Sequence, residues 1–243
     1  MMSKPLHPNV VEFEVYGDYA LFSDPITRAG GEKYSYQVPT YEALKGILSS
    51  TFWKPTIVWY IDAVRVMNQI QTETKGIRVL KYAEKVPDLL HYTYLRKCNY
   101  QVRAHFEWND NRPDLIQDRN EVKYHQIARR MIEKGGRRDI FLGTRECQGY
   151  VEPCVFGEGE GAYDNVQQLD FGLMYHGITY ADESGSGGKN DMTANFWHAV
   201  MRAGVIQFPR PEECQVKFLR KMGKKQFHWD LQNFSGLKEF EEV

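Results

Sequence analysis

Apolar and polar residues alternate along residues 10–16, where Val11, Phe13 and Val15 are interleaved with Glu12, Glu14 and Tyr16. A period of two predicts a half-buried strand. Gly17 and Asp18 follow, and the apolar run Tyr19 to Phe22 predicts a continuation after a bulge. Residues 24–38, centred on Gly30 and Gly31, predict a loop; they carry neither G-x-G-x-x-G nor G-K-[ST], so the loop is no phosphate cradle. After Pro39 and Thr40 the period changes. Ala43, Leu44, Ile47, Leu48 and Thr51 mark one face of a helix that Pro55 closes. Gly46 in its middle costs roughly 1 kcal/mol against alanine, which predicts close packing against another backbone.

Residues 56–67, TIVWYIDAVRVM, predict a second strand. The polar stretch 68–96 is too long for a tight connection and predicts a hairpin or arm of its own. Tyr100, Val102, Ala104, Phe106 and Trp108 then alternate with Gln101, Arg103, His105 and Glu107. This third strand has one apolar face and one face able to meet a polar ligand. Asn120 is a good N-cap, and Tyr124, Ile127, Ala128, Met131 and Ile132 recur at the spacing of a buried helical face that Gly135 and Gly136 terminate. Residues 139–156 return as one or two strands.

Strand, helix, strand, strand, helix, strand is the ferredoxin-like order, with helices on one face and the other left open, the arrangement RNA-recognition modules use. The expected fold is therefore α+β: a modified ferredoxin-like, RNA-recognition-motif domain over residues 1–157 and an appended β-rich region over 158–243. The boundary falls at Gly157, where the acidic, glycine-rich FGEGEGAYDNVQQ begins; ADESGSGGKND repeats that texture. Between them Leu169–Tyr180 predicts a strand pair. Thr193–Ala203 predicts a short helix with Phe196, Trp197, Val200 and Met201 inside, and a basic tail holds Lys217, Arg220, Lys221, Lys224 and Lys225. That tail suits either a phosphate backbone or plain solvent.

Composition narrows the classes. In 243 residues, 42% hydrophobic and 14% aromatic content excludes a disordered chain, and a net charge of -1 confines any nucleic-acid site to a local patch. Four dispersed cysteines without a C-x-x-C pair argue against a zinc ribbon or a secreted disulfide scaffold and for a reduced cytoplasm. No signal pattern or membrane-length apolar run is present. No acidic ligand cluster demands a metal, and the pattern calls for no cofactor.

The densest positive charge lies in NEVKYHQIARRMIEKGGRRDIFLGTR, residues 120–145. At about 100° per residue, Lys123 and His125 fall on opposite shoulders of the apolar stripe, with Arg130 below Lys123 and Arg129 below His125. A lysine and a histidine in the first turn, where helix N–H groups and dipole favour anions, suit a phosphodiester site. The alternative is a solvated basic helix face. Trp53 and Lys54 at the first helix exit can stack on and pair with RNA, or Trp53 can be core.

GDYALF, VPTYEALKGIL, the F-W-K-P exit, RRDIFLGTRECQGYVEP and GVIQFPRP, in this order from about Val11 to Pro211, are together similar to the CRISPR-associated Cas-five proteins of subtype I-C. The resemblance implies a modified RNA-recognition fold. In most subtypes the family member is a non-catalytic cap on the guide RNA. In subtype I-C it implies a metal-independent endoribonuclease that cuts precursor CRISPR RNA at the base of the repeat hairpin. The protein would then stay on the 5′ handle within Cascade, with the Cas-seven and Cas-eight subunits as partners and DNA contact open.

By the same resemblance Lys123 matches the family's catalytic lysine. The family's histidine follows that lysine directly, whereas Tyr124 follows here and His125 comes one place later. Phe52 stands where some relatives carry a tyrosine, and it has no hydroxyl to move a proton. The expected roles are charge stabilisation by Lys123, acid or base work by His125 and orientation or substitution by Tyr124, giving a 2′,3′-cyclic phosphate and a 5′-hydroxyl. Arg103, His105, Arg129, Arg130, Arg137, Arg138 and Arg145 are expected to grip the stem and handle.

Overall fold

A computed structural model describes residues 8–25, 27, 31–81, 86–181 and 191–222. β1 (Val11–Ala20) buries Val11, Phe13 and Val15 and runs on through Gly17. A Cβ at Gly17 would stand 2.7 Å from the Gln148 carbonyl, so only glycine lets the neighbouring chain approach this closely. α1 (Tyr41–Thr51) is capped by Thr40, whose hydroxyl accepts from the Ala43 N–H at 3.2 Å. β2 (Ile57–Val66) follows, then β3 (Thr72–Lys81) and β4 (Val86–Trp108). The predicted arm is the β3–β4 hairpin; Lys85 lies outside the described residues.

α2 (Glu121–Glu133) buries Tyr124, Ala128 and Ile132, and Asn120 caps it by accepting from the Lys123 N–H at 2.9 Å. β5 (Ile140–Phe141), β6 (Gln148–Pro153), β7 (Leu169–Thr179), β8 (Asp191–Arg202), β9 (Val205–Gln207) and β10 (Gln215–Lys221) complete a mixed α and β structure around one large antiparallel sheet. Its order is β10-β8-β9-β2-β4-β1-β6-β5, with β3 on β4 and β7 on β8. The sheet is continuous across residue 157. No helix among the described residues is long and apolar enough to cross a membrane.

Four sequence expectations are corrected. The short helix expected at Thr193–Ala203 is strand β8, which buries Asn195, Trp197, Ala199 and Met201 at every second position, with Ala194 buried beside them. A buried asparagine and a buried alanine hid that period; the Asn195 amide donates through Nδ2 to Thr179 Oγ1 at 2.7 Å. The strand pair expected at Leu169–Tyr180 is one strand, because Gly172 and Gly177 sit at register shifts against β8 and not at turns. Gly46 packs against nothing within 4 Å of its would-be Cβ. The second glycine-rich loop, at 182–190, and Lys224 and Lys225 lie outside the described residues.

Fourth, the polar face of β4 is largely covered and not open: Gln101 and His105 are buried, and Arg103 and Glu107 are partly so. Arg65, 5% exposed, donates to Asp164 at 2.7 Å, to Gln101 at 3.2 Å and to the carbonyls of Glu158 and Gly159 at 3.0 and 2.8 Å. Arg103 pairs with Glu12 at 2.8 Å under the Phe156 ring. His105 is 3% exposed, stacked on Tyr60, with Nδ1 2.9 Å from Asp62. Glu107 holds Arg210 at 2.7 and 2.9 Å, and that guanidinium lies over Tyr60. The segment after β6 thus lies across the face that the alternation pattern alone leaves free.

His176 on β7 locks the C-terminal strands to α1. It stacks on Tyr41 at 4.0 Å between ring centroids and donates through Nε2 to the Pro209 carbonyl at 3.0 Å. Burial pushes its imidazole down to about 4, against the opposing pull of the Pro209 bond. A depressed histidine contributes stability that is present above its unfolded value near 6.5 and lost as pH falls toward 4. Urea unfolding of the wild type should weaken by about 3 kcal/mol across that window, and His176→Gln should flatten the slope there. Gly46→Ala, in an exposed helix interior with open space, should raise stability by about 0.5–1 kcal/mol in the same assay.

Candidate functional site

The exit of α1 meets the entry of α2. The Phe52 N–H donates to the Leu48 carbonyl at 2.8 Å, and the Trp59 indole N–H donates to the Phe52 carbonyl at 2.8 Å, fixing where the chain leaves the helix. The Phe52 ring lies 6.0 Å from that of Tyr124. Trp53 then turns outward, 52% exposed, and Lys54 is exposed beside it. At the far end of α2, Gly135 and Gly136 take φ of +77° and +103° and reverse the chain. Arg137 and Arg138 are thereby brought back to α1, where with Ser49, Ser50, Trp53 and Lys54 they line a cleft of about 400 Å³.

Lys123 stands in the first turn of α2, with its ammonium 3.0 Å from Asp118 Oδ1; both side chains are about half exposed. The other oxygen of Asp118 accepts from the Tyr124 hydroxyl, which also lies 2.7 Å from the buried Thr56 Oγ1. Asp118 therefore ties Lys123 to a hydrogen-bond chain that enters the core. Tyr124 first, and Lys123 second, hold the Asp118 carboxyl below the usual range, and Lys54 adds to the effect through its charge. Burial and then Asp118 raise the Tyr124 phenol above the ordinary tyrosine value. It stays protonated at neutral pH. An exposed ion pair such as Lys123–Asp118 is weak, so an incoming phosphate can take the ammonium over.

Lys123 and His125 do not converge. His125 faces β1, with Nε2 2.9 Å from the Val10 carbonyl. A carbonyl can only accept, so Nε2 carries the proton. His125 and Arg129 line a separate groove of about 390 Å³ with Glu12, Glu133 and Cys154. Arg130 is exposed on the Lys123 side of α2, and Arg145 is exposed in the turn between β5 and β6. Tyr124, at 1% exposure, reaches a ligand only through Asp118. His105 is buried under the covered sheet face, and Arg103 is held there by Glu12 with part of its side chain exposed. Of the sequence candidates, the structure gathers Trp53, Lys54, Arg137 and Arg138 at one cleft, and the Lys54 charge acts on the Asp118 that holds Lys123.

Asp118 and Thr56 are the site residues that sequence reasoning missed. The available signal was Asp118 lying two places before the Asn120 cap, where the chain entering a helix can fold back on its first turn.

Comparisons with known proteins place these features in context. Residues 10–209 match the model of the Cas5d family, described as CRISPR-associated protein. A protein of Mannheimia succiniciproducens named CRISPR pre-crRNA endoribonuclease Cas5d is 27% identical over 232 residues, covering 83% of this chain and 95% of the relative. A Thermus thermophilus protein of the same name is 26% identical over 219 residues, covering 82% and 91%. A crystal structure described as a CRISPR-associated protein aligns with a TM-score of 0.72 at 36% identity, covering 86% of this chain and 96% of that one.

The buried hydroxyl pair makes a specific demand on stability. Tyr124→Phe should cost about 1–2 kcal/mol in urea unfolding by leaving the Thr56 hydroxyl without its partner. Tyr124→Phe combined with Thr56→Val should cost less than the sum of the two, with a coupling on the order of 1 kcal/mol.

Proposed function

The chain belongs to the Cas5d family of CRISPR-associated proteins, and from that membership we propose that it is the endoribonuclease that cuts precursor CRISPR RNA at the base of each repeat hairpin. The observation that carries this reading is the pairing of an electropositive cleft, lined by Trp53, Lys54, Arg137 and Arg138, with Lys123 presented from a helix start and linked to it through Asp118 and Lys54. The relatives named as pre-crRNA endoribonucleases support it. The strand order β2-β4-β1-β6, with α1 after β1 and α2 after β4, supports a modified ferredoxin-like or RNA-recognition-motif unit in residues 1–157 and an appended β-rich unit in 158–243.

In the proposed mechanism the 2′-hydroxyl attacks the adjacent phosphorus in line, the bond to the 5′-oxygen breaks, and a 2′,3′-cyclic phosphate and a 5′-hydroxyl result. No metal is required. Negative charge develops on the non-bridging oxygens, and the Lys123 ammonium, released from Asp118 by the phosphate, stabilises it. Tyr124 acts as a positioning residue through Asp118. The attacking hydroxyl's proton passes to solvent, and the leaving oxygen takes one from solvent or from Lys123. His125 serves RNA held in its own groove with Arg129, and Arg130 and Arg145 add backbone-directed charge. After cleavage the protein remains on the 5′ handle in a Cascade complex with Cas-seven and Cas-eight subunits.

The separation of Lys123 from His125, together with Phe52 in place of a hydroxyl-bearing residue, favours one second reading: a guide-RNA cap of the same fold without catalysis. One assay decides. Purified protein incubated in EDTA with its repeat RNA should give one discrete cut at the stem base. Lys123→Ala should lower the single-turnover rate by about 100-fold or more, the loss of a main electrostatic stabiliser, while affinity falls modestly. An equally fast alanine variant removes Lys123 from the mechanism, and binding without any cut establishes the cap.

A further inference from the structure

Trp53 stands apart from its neighbours. Trp59 is 1% exposed and Trp108 packs against the core, whereas the Trp53 indole is 52% exposed although the chain on either side of it is pinned. A single exposed apolar ring is ordinary; an exposed indole set in a cationic cleft is a face on which a base can stack. Its companions in the cleft define the ligand. Among the described residues lining it, Lys54, Arg137 and Arg138 are cationic and none is a carboxylate; Ser49 and Ser50 add hydroxyls. A volume of about 400 Å³ lies at the small end of the ~300–1,000 Å³ range of ligand pockets, room for one nucleotide and too little for a stack of base pairs.

Lys54 and Asp118 link the cleft to Lys123. Lys54 on its wall is close enough to Asp118 to lower that carboxyl, and Asp118 holds the Lys123 ammonium at 3.0 Å. We infer that this cleft takes a single unpaired nucleotide flanking the repeat hairpin, its base stacked on Trp53 and its phosphate held by Arg137, Arg138 and Lys54, so that the next phosphodiester is delivered to Lys123. Stacking on an aromatic face accepts any base, and cations around it fix the backbone. An acidic peptide would use the three cations but has no use for an open indole face, which is why the nucleotide is the favoured occupant. The inference rests on the protein's proposed action on CRISPR RNA and adds to it a stacking subsite that sets register at the foot of the stem.

The test couples the indole to one base. Repeat RNAs carrying a single abasic nucleotide at each position flanking the hairpin are cleaved in EDTA, at single turnover, by wild type, Trp53→Ala and Trp53→Phe. One abasic position should slow the wild type by about tenfold or more, the scale of one base–aromatic stack. Trp53→Ala should slow the intact RNA by a similar factor and lose nothing further on that abasic RNA, while Trp53→Phe recovers most of the rate. Losses that multiply at every position, or a Trp53→Ala enzyme as fast as wild type, overturn the inference. So does an alanine variant that cleaves normally and fails only to bind protein subunits, which would make the cleft a protein dock. If wild type cleaves no repeat RNA, the nuclease reading fails while the subsite stays testable. 2-Aminopurine at the same flanking position must then be quenched by wild type and not by Trp53→Ala; absent that difference, the subsite is refuted.

Discussion

The guanidinium of Arg65 is buried between β2 and β4, and a buried charge must be neutralised and fully hydrogen-bonded or it costs several kcal/mol. Asp164, Gln101 and two backbone carbonyls meet that demand, and only a chain folded across the sheet can present them together. The residues after β6 are drawn over the polar side of β4 for this reason. Arg103 and His105, which their alternation would place on an open surface, are engaged by Glu12 and Asp62 instead. With that side occupied, the cations that line a cleft with an exposed aromatic ring are those at the exit of α1 and after the end of α2.

Local chemistry was readable from the sequence where one element decides its own form. Thr40 and Asn120 cap α1 and α2 as their side chains predict, and the buried faces of both helices follow the spacing of their apolar residues. β1 and β4 announce themselves by clean alternation. β8 does not, because Asn195 and Ala199 occupy buried positions and remove the apolar signal from half of them. Its strand character comes from β7 and β10 on either side, which no window of sequence contains. Gly46 failed for the opposite reason: a glycine in a helix tells of tolerance as readily as of close contact, and here the surrounding space is open.

The site was legible to the same degree. Helical geometry set Lys123 and His125 on opposite shoulders, and the structure keeps them there, each tied to a different neighbour: Asp118 for one, the Val10 carbonyl for the other. What sequence could not give was Asp118 joining Lys123 to Tyr124 and Thr56, since that chain of bonds depends on the start of β2 passing beneath the first turn of α2. Nor could it give the meeting of Trp53 with Arg137 and Arg138 across more than eighty intervening residues. Charge density marked the region; the fold selected which of its members share a surface.

The paired left-handed residues after α2 carry a consequence for how such a surface can change over time. Arg137 and Arg138 reach α1 because Gly135 and Gly136 adopt torsions that side-chain-bearing residues resist. A lineage could keep all its basic side chains and still forfeit the gathering of charge by acquiring a single β-carbon at that bend. Electrostatic strength and spatial focus are therefore inherited through separate positions, and a tally of arginines measures only the first.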